Sequence, residues 1–143
     1  MNIVYIGIGS NKNNPIYHIR KSFIQINHLP YTKILKKSSF YESSPLGPKN
    51  QPDFINVVIK IQTTMNPQNL LNKLQLIENL HHRKRTKKWG ARTLDLDILI
   101  YDDLEIAEKN LVIPHPEIVY RSFVLLPLFE ITGYRFKIPR YGR

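Results

Sequence analysis

Two Asn-Pro pairs constrain the fold of this chain more than any other feature. Asn14-Pro15 and Asn66-Pro67 each follow a run rich in β-branched apolar residues and precede a segment whose apolar residues recur at helical spacing. Asparagine suits the position just outside a helix, where its side chain accepts from an exposed N–H, and proline suits the first turn, where no N–H is needed. Each pair therefore predicts a strand followed by a helix.

In the first unit, Ile3 to Ile8 reads as a buried strand ending at Gly9-Ser10-Asn11, and Ile16, Ile19, Phe23 and Ile26 form the apolar stripe of a helix that stops before Leu29-Pro30. The glycines Gly7 and Gly9 suggest close approach of another segment or a ligand. Thr32 to Tyr41 follows as a second strand, with Lys36 and Lys37 marking an exposed edge. In the second unit, Phe54 to Thr63 alternates, placing Ile55, Val57, Ile59 and Ile61 on one face and Phe54 and Asn56 on the other. Leu70, Leu74 and Ile77 then give a helix running to about Leu80.

Thr93 to Ile100 completes the series, with Leu94, Leu96, Ile98 and Ile100 facing a core and Asp95, Asp97 and Leu99 facing away. The order β-α-β-β-α-β predicts an α+β fold with a ferredoxin-like core, an antiparallel sheet carrying both helices on one face. Beyond it, Asp102-Asp103 suggests a hairpin turn, Leu111 to Ile113 a short strand, and Arg121 to Ile131 a helix bent or interrupted at Pro127. Gly133 to Arg143 reads as a loosely held basic tail. A chain of 143 residues is expected to form one domain, residues 1–143.

Composition narrows the chemistry. The absence of cysteine rules out disulfides and thiolate metal sites, and fits a reducing compartment. No apolar run has membrane-spanning length and no charged-then-apolar segment opens the chain, so a cytoplasmic protein with no membrane partner is expected. The formal net charge of +10 invites an anionic ligand. Its clustering is more informative than its size: Arg83, Lys84, Arg85, Lys87, Lys88 and Arg92 stand immediately ahead of Asp95 and Asp97.

Asp95 and Asp97 point the same way along a strand, about 6.6 Å apart. Like charges so placed repel, and a hard divalent cation that also binds phosphate oxygens relieves the repulsion. Alone, an Asp-x-Asp reads better as a solvated strand end; next to a basic stretch it suggests a site for a polyphosphate and Mg2+. Phe54 beside Asn56 on the outward face suits a flat heterocycle, or else ordinary packing under a helix. Two other classes share parts of the pattern. An RNA-recognition module has the same topology, but its third-strand signature is missing from Phe54 to Thr63, and nucleic acid is not an expected partner. A nucleotidyltransferase would carry its Gly-Ser turn close to the aspartates, whereas Gly9-Ser10 lies far upstream.

The chain resembles the 6-hydroxymethyl-7,8-dihydropterin pyrophosphokinases of folate biosynthesis. The resemblance is carried by Tyr5-Ile-Gly-Ile-Gly-Ser-Asn11, Ser39-Phe-Tyr41, Pro45-Leu-Gly-Pro48, Gln51-Pro-Asp-Phe-Ile-Asn56, Trp89-Gly-Ala-Arg-Thr-Leu-Asp-Leu-Asp-Ile98, Pro114-His115 and Arg121-Ser-Phe123, in the family's order. Ala91 departs from it, standing where proline is usual.

The resemblance implies transfer of the β,γ-diphosphate of ATP, the co-substrate, to the pterin hydroxymethyl group, with AMP released. Asp95 and Asp97 would hold two Mg2+ ions. Arg83 and Arg92 would neutralise charge on the transferred group, and Arg85 and Trp89 would help close the basic loop over both substrates. Gln75, Glu78, His115 and Arg121 match the family's nucleotide contacts, and Ile98 its adenine-side packing. Phe54 and Phe123 would sandwich the pterin while Asn56 and groups from Ser43 to Leu46 read its polar edge, with Trp89 alongside. A monomer is the expected state.

Overall fold

The computed structural model describes residues 1–45, 50–82, 92–133 and 135–139. Among these, the chain forms β1 (Asn2–Ser10), α1 (Pro15–Asn27), β2 (Thr32–Lys37), β3 (Tyr41–Ser43), β4 (Phe54–Thr63), α2 (Pro67–Leu80), β5 (Asp95–Tyr101), β6 (Ile106–Glu108), β7 (Leu111–Ile113), a single 3-10 turn (Ile118–Tyr120) and α3 (Ser122–Thr132). Strands β2, β4, β1 and β5 lie side by side in that order, β3 adds to β4 beyond the end of β2, and every pairing is antiparallel. β6 and β7 form a separate hairpin.

The two Asn-Pro pairs behave differently. Asn66 caps α2, its side chain accepting from Asn69 N at 2.8 Å. Asn14 makes no side-chain cap and instead adopts a left-handed backbone (φ 70°), a conformation asparagine tolerates better than most residues. Pro15 still opens α1, as expected.

Apolar periodicity accounts for one core. Ile19 and Ile26 of α1 and Leu70, Leu74 and Ile77 of α2 pack on Val4, Ile6, Ile8, Val57, Ile59, Ile61, Leu96 and Ile98 of the sheet. A second core lies on the opposite face, where Leu128 and Ile131 of α3 meet Tyr5, Val58, Leu99 and Ile100. The helices thus cover both faces, α1 and α2 on one and α3 on the other. Pro127 is buried within α3, which continues through it. Within the tail, residues 135–139 are better held than composition suggests: Ile138 is buried, and Phe136 packs edge-on against Tyr5 with ring centroids 5.5 Å apart.

Two strands depart from strict alternation. The expected strand from Thr32 to Tyr41 is two strands, because Ser38 turns inward between them: Ser38 N donates to Val58 O at 2.9 Å and Val58 N donates to Ser38 Oγ at 2.9 Å. In β5 the register against β1 shifts, Ile98 facing Ile6 but Ile100 facing Tyr5. The extra residue is Leu99, and this bulge turns Leu99 and Ile100 to the same side. Ile100 therefore joins the α3-side core rather than the core under α1 and α2. Asp102 and Asp103 do form a turn, closed by Leu104 N donating to Tyr101 O at 3.0 Å, but among the described residues it joins no hairpin, since β6 pairs with β7 and not with β5. Asp102 N donates to Ile3 O at 2.7 Å and Ile3 N donates to Asp102 Oδ1 at 2.8 Å, extending the pairing with β1.

Candidate active site

A cleft opens on the α3 side of the sheet, where β1, β4 and β5 meet the residues that precede and begin α3. Period two puts Asp95 and Asp97 there, opposite Gly9 and Gly7 of β1. Both carboxylates line the cleft. Asp95 Oδ2 is 3.3 Å from Arg92 Nη1, an ion pair whose members are each 22% exposed. The glycines leave space beside the carboxylates that a side chain would fill at contact distance. A Cβ on Gly9 would lie 3.4 Å from Asn56 Oδ1 and 3.8 Å from Phe54 Cδ1.

The opposite wall is aromatic and amide. Phe54 and Asn56 project from β4, Phe123 and Val124 from the first turn of α3, and Ser43 and Ser44 from the end of β3. Asn56 Nδ2 donates to Ser43 Oγ at 2.8 Å and to Tyr41 O at 3.2 Å. A backbone carbonyl can only accept, so the nitrogen must face β3 and Oδ1 is left as an acceptor toward the cleft.

His115 and Arg121 join Arg92 as the donor groups of the cleft. His115 is placed by its own N–H, which donates to Leu99 O at 2.8 Å, just after the cis Ile113–Pro114 peptide. Glu117 N donates to His115 Nδ1 at 3.2 Å, so the neutral ring carries its proton on Nε2. Burial lowers the His115 pKa and nearby Arg121 lowers it further, while Glu117 and Asp95 oppose them. The net effect favours the neutral ring, a hydrogen-bond donor without charge. Arg121 Nη2 lies 3.0 Å from Glu117 Oε2, and its guanidinium carbon is 5.7 Å from the centre of the Phe123 ring.

Of the residues expected from the sequence, Ser43, Phe54, Asn56, Arg92, Asp95, Asp97, His115, Arg121 and Phe123 come together in this one cleft. Leu46, Arg83, Arg85 and Trp89 lie outside the described residues. The remaining three do not line the cleft. Gln75 is exposed on α2. Glu78 is buried, its carboxylate accepting from Leu96 N at 2.8 Å. Ile98 packs in the core beneath α1 and α2.

One buried residue organises the site without having been expected. Asn11 N donates to Arg92 O at 3.0 Å and Arg92 N donates to Asn11 Oδ1 at 2.8 Å, while Asn11 Nδ2 donates to Gln51 Oε1 and to Pro52 O, both at 2.9 Å. It pins the residue that precedes β5 and the segment that enters β4 to the end of β1. In the sequence it was visible only as a polar residue directly after a buried strand, at the end of the Tyr5-to-Asn11 motif, with no role attached.

Chemically, the cleft joins a carboxylate pair, cationic and neutral donors, and an aromatic slot with an amide edge. Residues 5–133 match the family model described as 7,8-dihydro-6-hydroxymethylpterin-pyrophosphokinase (HPPK). The chain is 47% identical over 129 residues to the 2-amino-4-hydroxy-6-hydroxymethyldihydropteridine pyrophosphokinase of Haemophilus influenzae, covering 90% of this chain and 81% of that one. It is 40% identical over 130 residues to the enzyme of the same name from Bacillus subtilis, covering 91% and 78%. In architecture it resembles a Plasmodium falciparum HPPK-DHPS structure with a TM-score of 0.72 at 17% identity, covering 96% of this chain and 42% of that longer one. With most of its length matched by the family model and by these relatives, the chain belongs to the 7,8-dihydro-6-hydroxymethylpterin-pyrophosphokinase family.

Proposed function

We propose that the cleft is where this chain carries out the family's reaction, transfer of the β,γ-diphosphate of ATP to the hydroxymethyl group of 6-hydroxymethyl-7,8-dihydropterin. The pterin oxygen attacks the β-phosphorus, the bond from that phosphorus to the α,β-bridging oxygen breaks, and AMP departs with the electron pair while the hydroxyl loses its proton. The observation that carries the assignment is that Asp95 and Asp97 share one cleft with Phe54, Phe123 and Asn56.

Phe54 and Phe123 stack on the two faces of the pterin, and Asn56 Oδ1 accepts from an N–H on its edge. The oxygen-only donors Asp95 and Asp97 suit Mg2+, and two ions held there would neutralise the triphosphate and make the hydroxyl easier to deprotonate. Arg92 and Arg121 supply positive charge to phosphate oxygens, and the His115 Nε2–H donates to the departing AMP. Arg92 already rests on Asp95, so phosphate need only compete for a guanidinium held at the site. Arg83 would join them from the basic segment. Glu78 and Ile98 act from beneath, Glu78 by holding the Leu96 amide and Ile98 by seating β5, while Gln75 would meet the nucleotide from α2. The sheet order β2-β4-β1-β5, with a helix joining each parallel pair, supports a ferredoxin-like description of the core.

Incubation with ATP, Mg2+ and 6-hydroxymethyl-7,8-dihydropterin tests the assignment. AMP and the pterin diphosphate are expected in equal amounts; ADP as the nucleotide product would overturn it.

A further inference from the structure

Glu130 lies near the C-terminal end of α3 and takes part in none of the roles above. It is an exposed residue, yet its carboxylate gathers three donors from across the gap to the sheet. Ser39 N donates to its two oxygens at 3.0 and 3.1 Å, Ser39 Oγ donates to Oε2 at 2.8 Å, and Tyr41 OH donates to Oε1 at 2.7 Å. Hydrogen bonds to an ionised acceptor are about twice as strong as neutral ones, so this is a firm tie for a surface position. The Tyr41 hydroxyl, aided by Ser39 and opposed by desolvation, holds the carboxyl below its usual range.

The tie matters because of what β3 does. β3 is three residues long and, among the described residues, pairs with β4 alone, Tyr41 opposite Asn56 and Ser43 opposite Phe54. Both protons of the Asn56 amide go to β3, one to Tyr41 O and one to Ser43 Oγ. The direction of Asn56 Oδ1 is therefore set by where β3 sits, and Glu130 fixes β3 from the other side. The same helix begins with Phe123.

We propose that Glu130 is a positioning residue for pterin binding: by tying α3 to β3 it aims the Asn56 carboxamide and fixes its spacing from Phe123. The proposal rests on the assignment of Asn56 and Phe123 to the pterin.

Calorimetric titration of the full chain with 6-hydroxymethyl-7,8-dihydropterin, in the presence of Mg2+ and a non-hydrolysable ATP analogue, tests it. Glu130→Ala should weaken pterin binding about 10-fold, Tyr41→Phe about 3-fold, and both should leave analogue affinity within about twofold of the original. In an Asn56→Ala background the Glu130→Ala change should add less than about twofold, because there is no longer an amide to aim. Thermal melts accompany each variant, and Tyr41→Phe, which loses one hydroxyl, keeps the test open should Glu130→Ala unfold the chain. Unchanged pterin affinity in the single variants, an equal loss for the nucleotide analogue, or a full loss persisting without Asn56 would overturn the proposal. Unchanged affinity in Asn56→Ala alone would instead overturn the subsite assignment, which separates the two failures.

Discussion

His18 Nδ1 and His81 Nδ1 stand 2.7 Å apart, a distance at which only one of them can carry a proton. His81 Nε2 lies 2.6 Å from Gln25 Oε1 and must donate to it, so the neutral His81 ring presents Nδ1 as an acceptor to His18. Protonating His81 would put an N–H against an N–H in a partly buried contact between α1 and the residue that ends α2. Burial lowers its pKa first, then His18, His82 and Lys21, to about 4 from the ordinary 6.5.

Stability should follow that shift. Between pH 6.5 and about 4 the unfolded chain holds a proton that the folded chain refuses, so this contribution is full above 6.5 and is lost as pH falls toward 4. Allowing for partial solvent screening, the loss is about 1–2 kcal/mol. Urea unfolding at intervals across this range should show the decline, and His81→Gln should flatten it. A midpoint independent of pH between 6.5 and 4 would mean that the pair carries no such linkage.

Asp95→Ala or Asp97→Ala should cut turnover by at least about 100-fold, since each removes an oxygen ligand from the candidate metal site. Neither opens a core, so the melting temperature should hold or rise slightly as the like-charge repulsion is relieved. Near-original activity at saturating Mg2+ would remove these residues from the metal site.

Leu96→Ala should cost about 2–5 kcal/mol, because the side chain is 4% exposed and its loss leaves a cavity beneath α2. Chemical denaturation measures it directly. The neighbouring Asp97→Ala in the same assay should be close to neutral, and equal effects would contradict the assignment of faces on β5.

Phe54→Ala and Phe123→Ala should each lose about 1–3 kcal/mol of pterin binding, by analogy with bases stacked on aromatic platforms, and should spare the nucleotide. Titration with each ligand separately distinguishes the two effects. Parallel losses for both ligands would make the rings supports of the fold.

What the sequence made legible follows from how local each signal is. Period two exposed the faces of β4 and the start of β5, and thus Asp95, Asp97, Phe54 and Asn56. It failed at Ile100, because a bulge depends on the partner strand and leaves no mark in the alternation. α3 is apolar nearly throughout, so its pattern did not say which face of the sheet it would cover. Ser43, His115, Arg121 and Phe123 were reached by resemblance alone. Asn11 and Glu130 escaped notice because each acts through groups far away in sequence, Asn11 reaching Arg92 and Glu130 reaching Ser39.

The apolar residues beneath the cleft also govern the medium in which the site's charges act. Alternation already puts Leu99 on the same face as Asp97, and the bulge adds Ile100 behind it, so hydrocarbon from Leu99, Val58 and Val124 floors the cleft in place of water. A pair of unit charges 4 Å apart interacts by about 1 kcal/mol in water but about 4 kcal/mol at the effective dielectric of a protein surface. Hydrocarbon beneath the site thus lends strength to every ionic contact made above it, and a substitution of Leu99 by a polar residue would weaken phosphate binding without touching a phosphate.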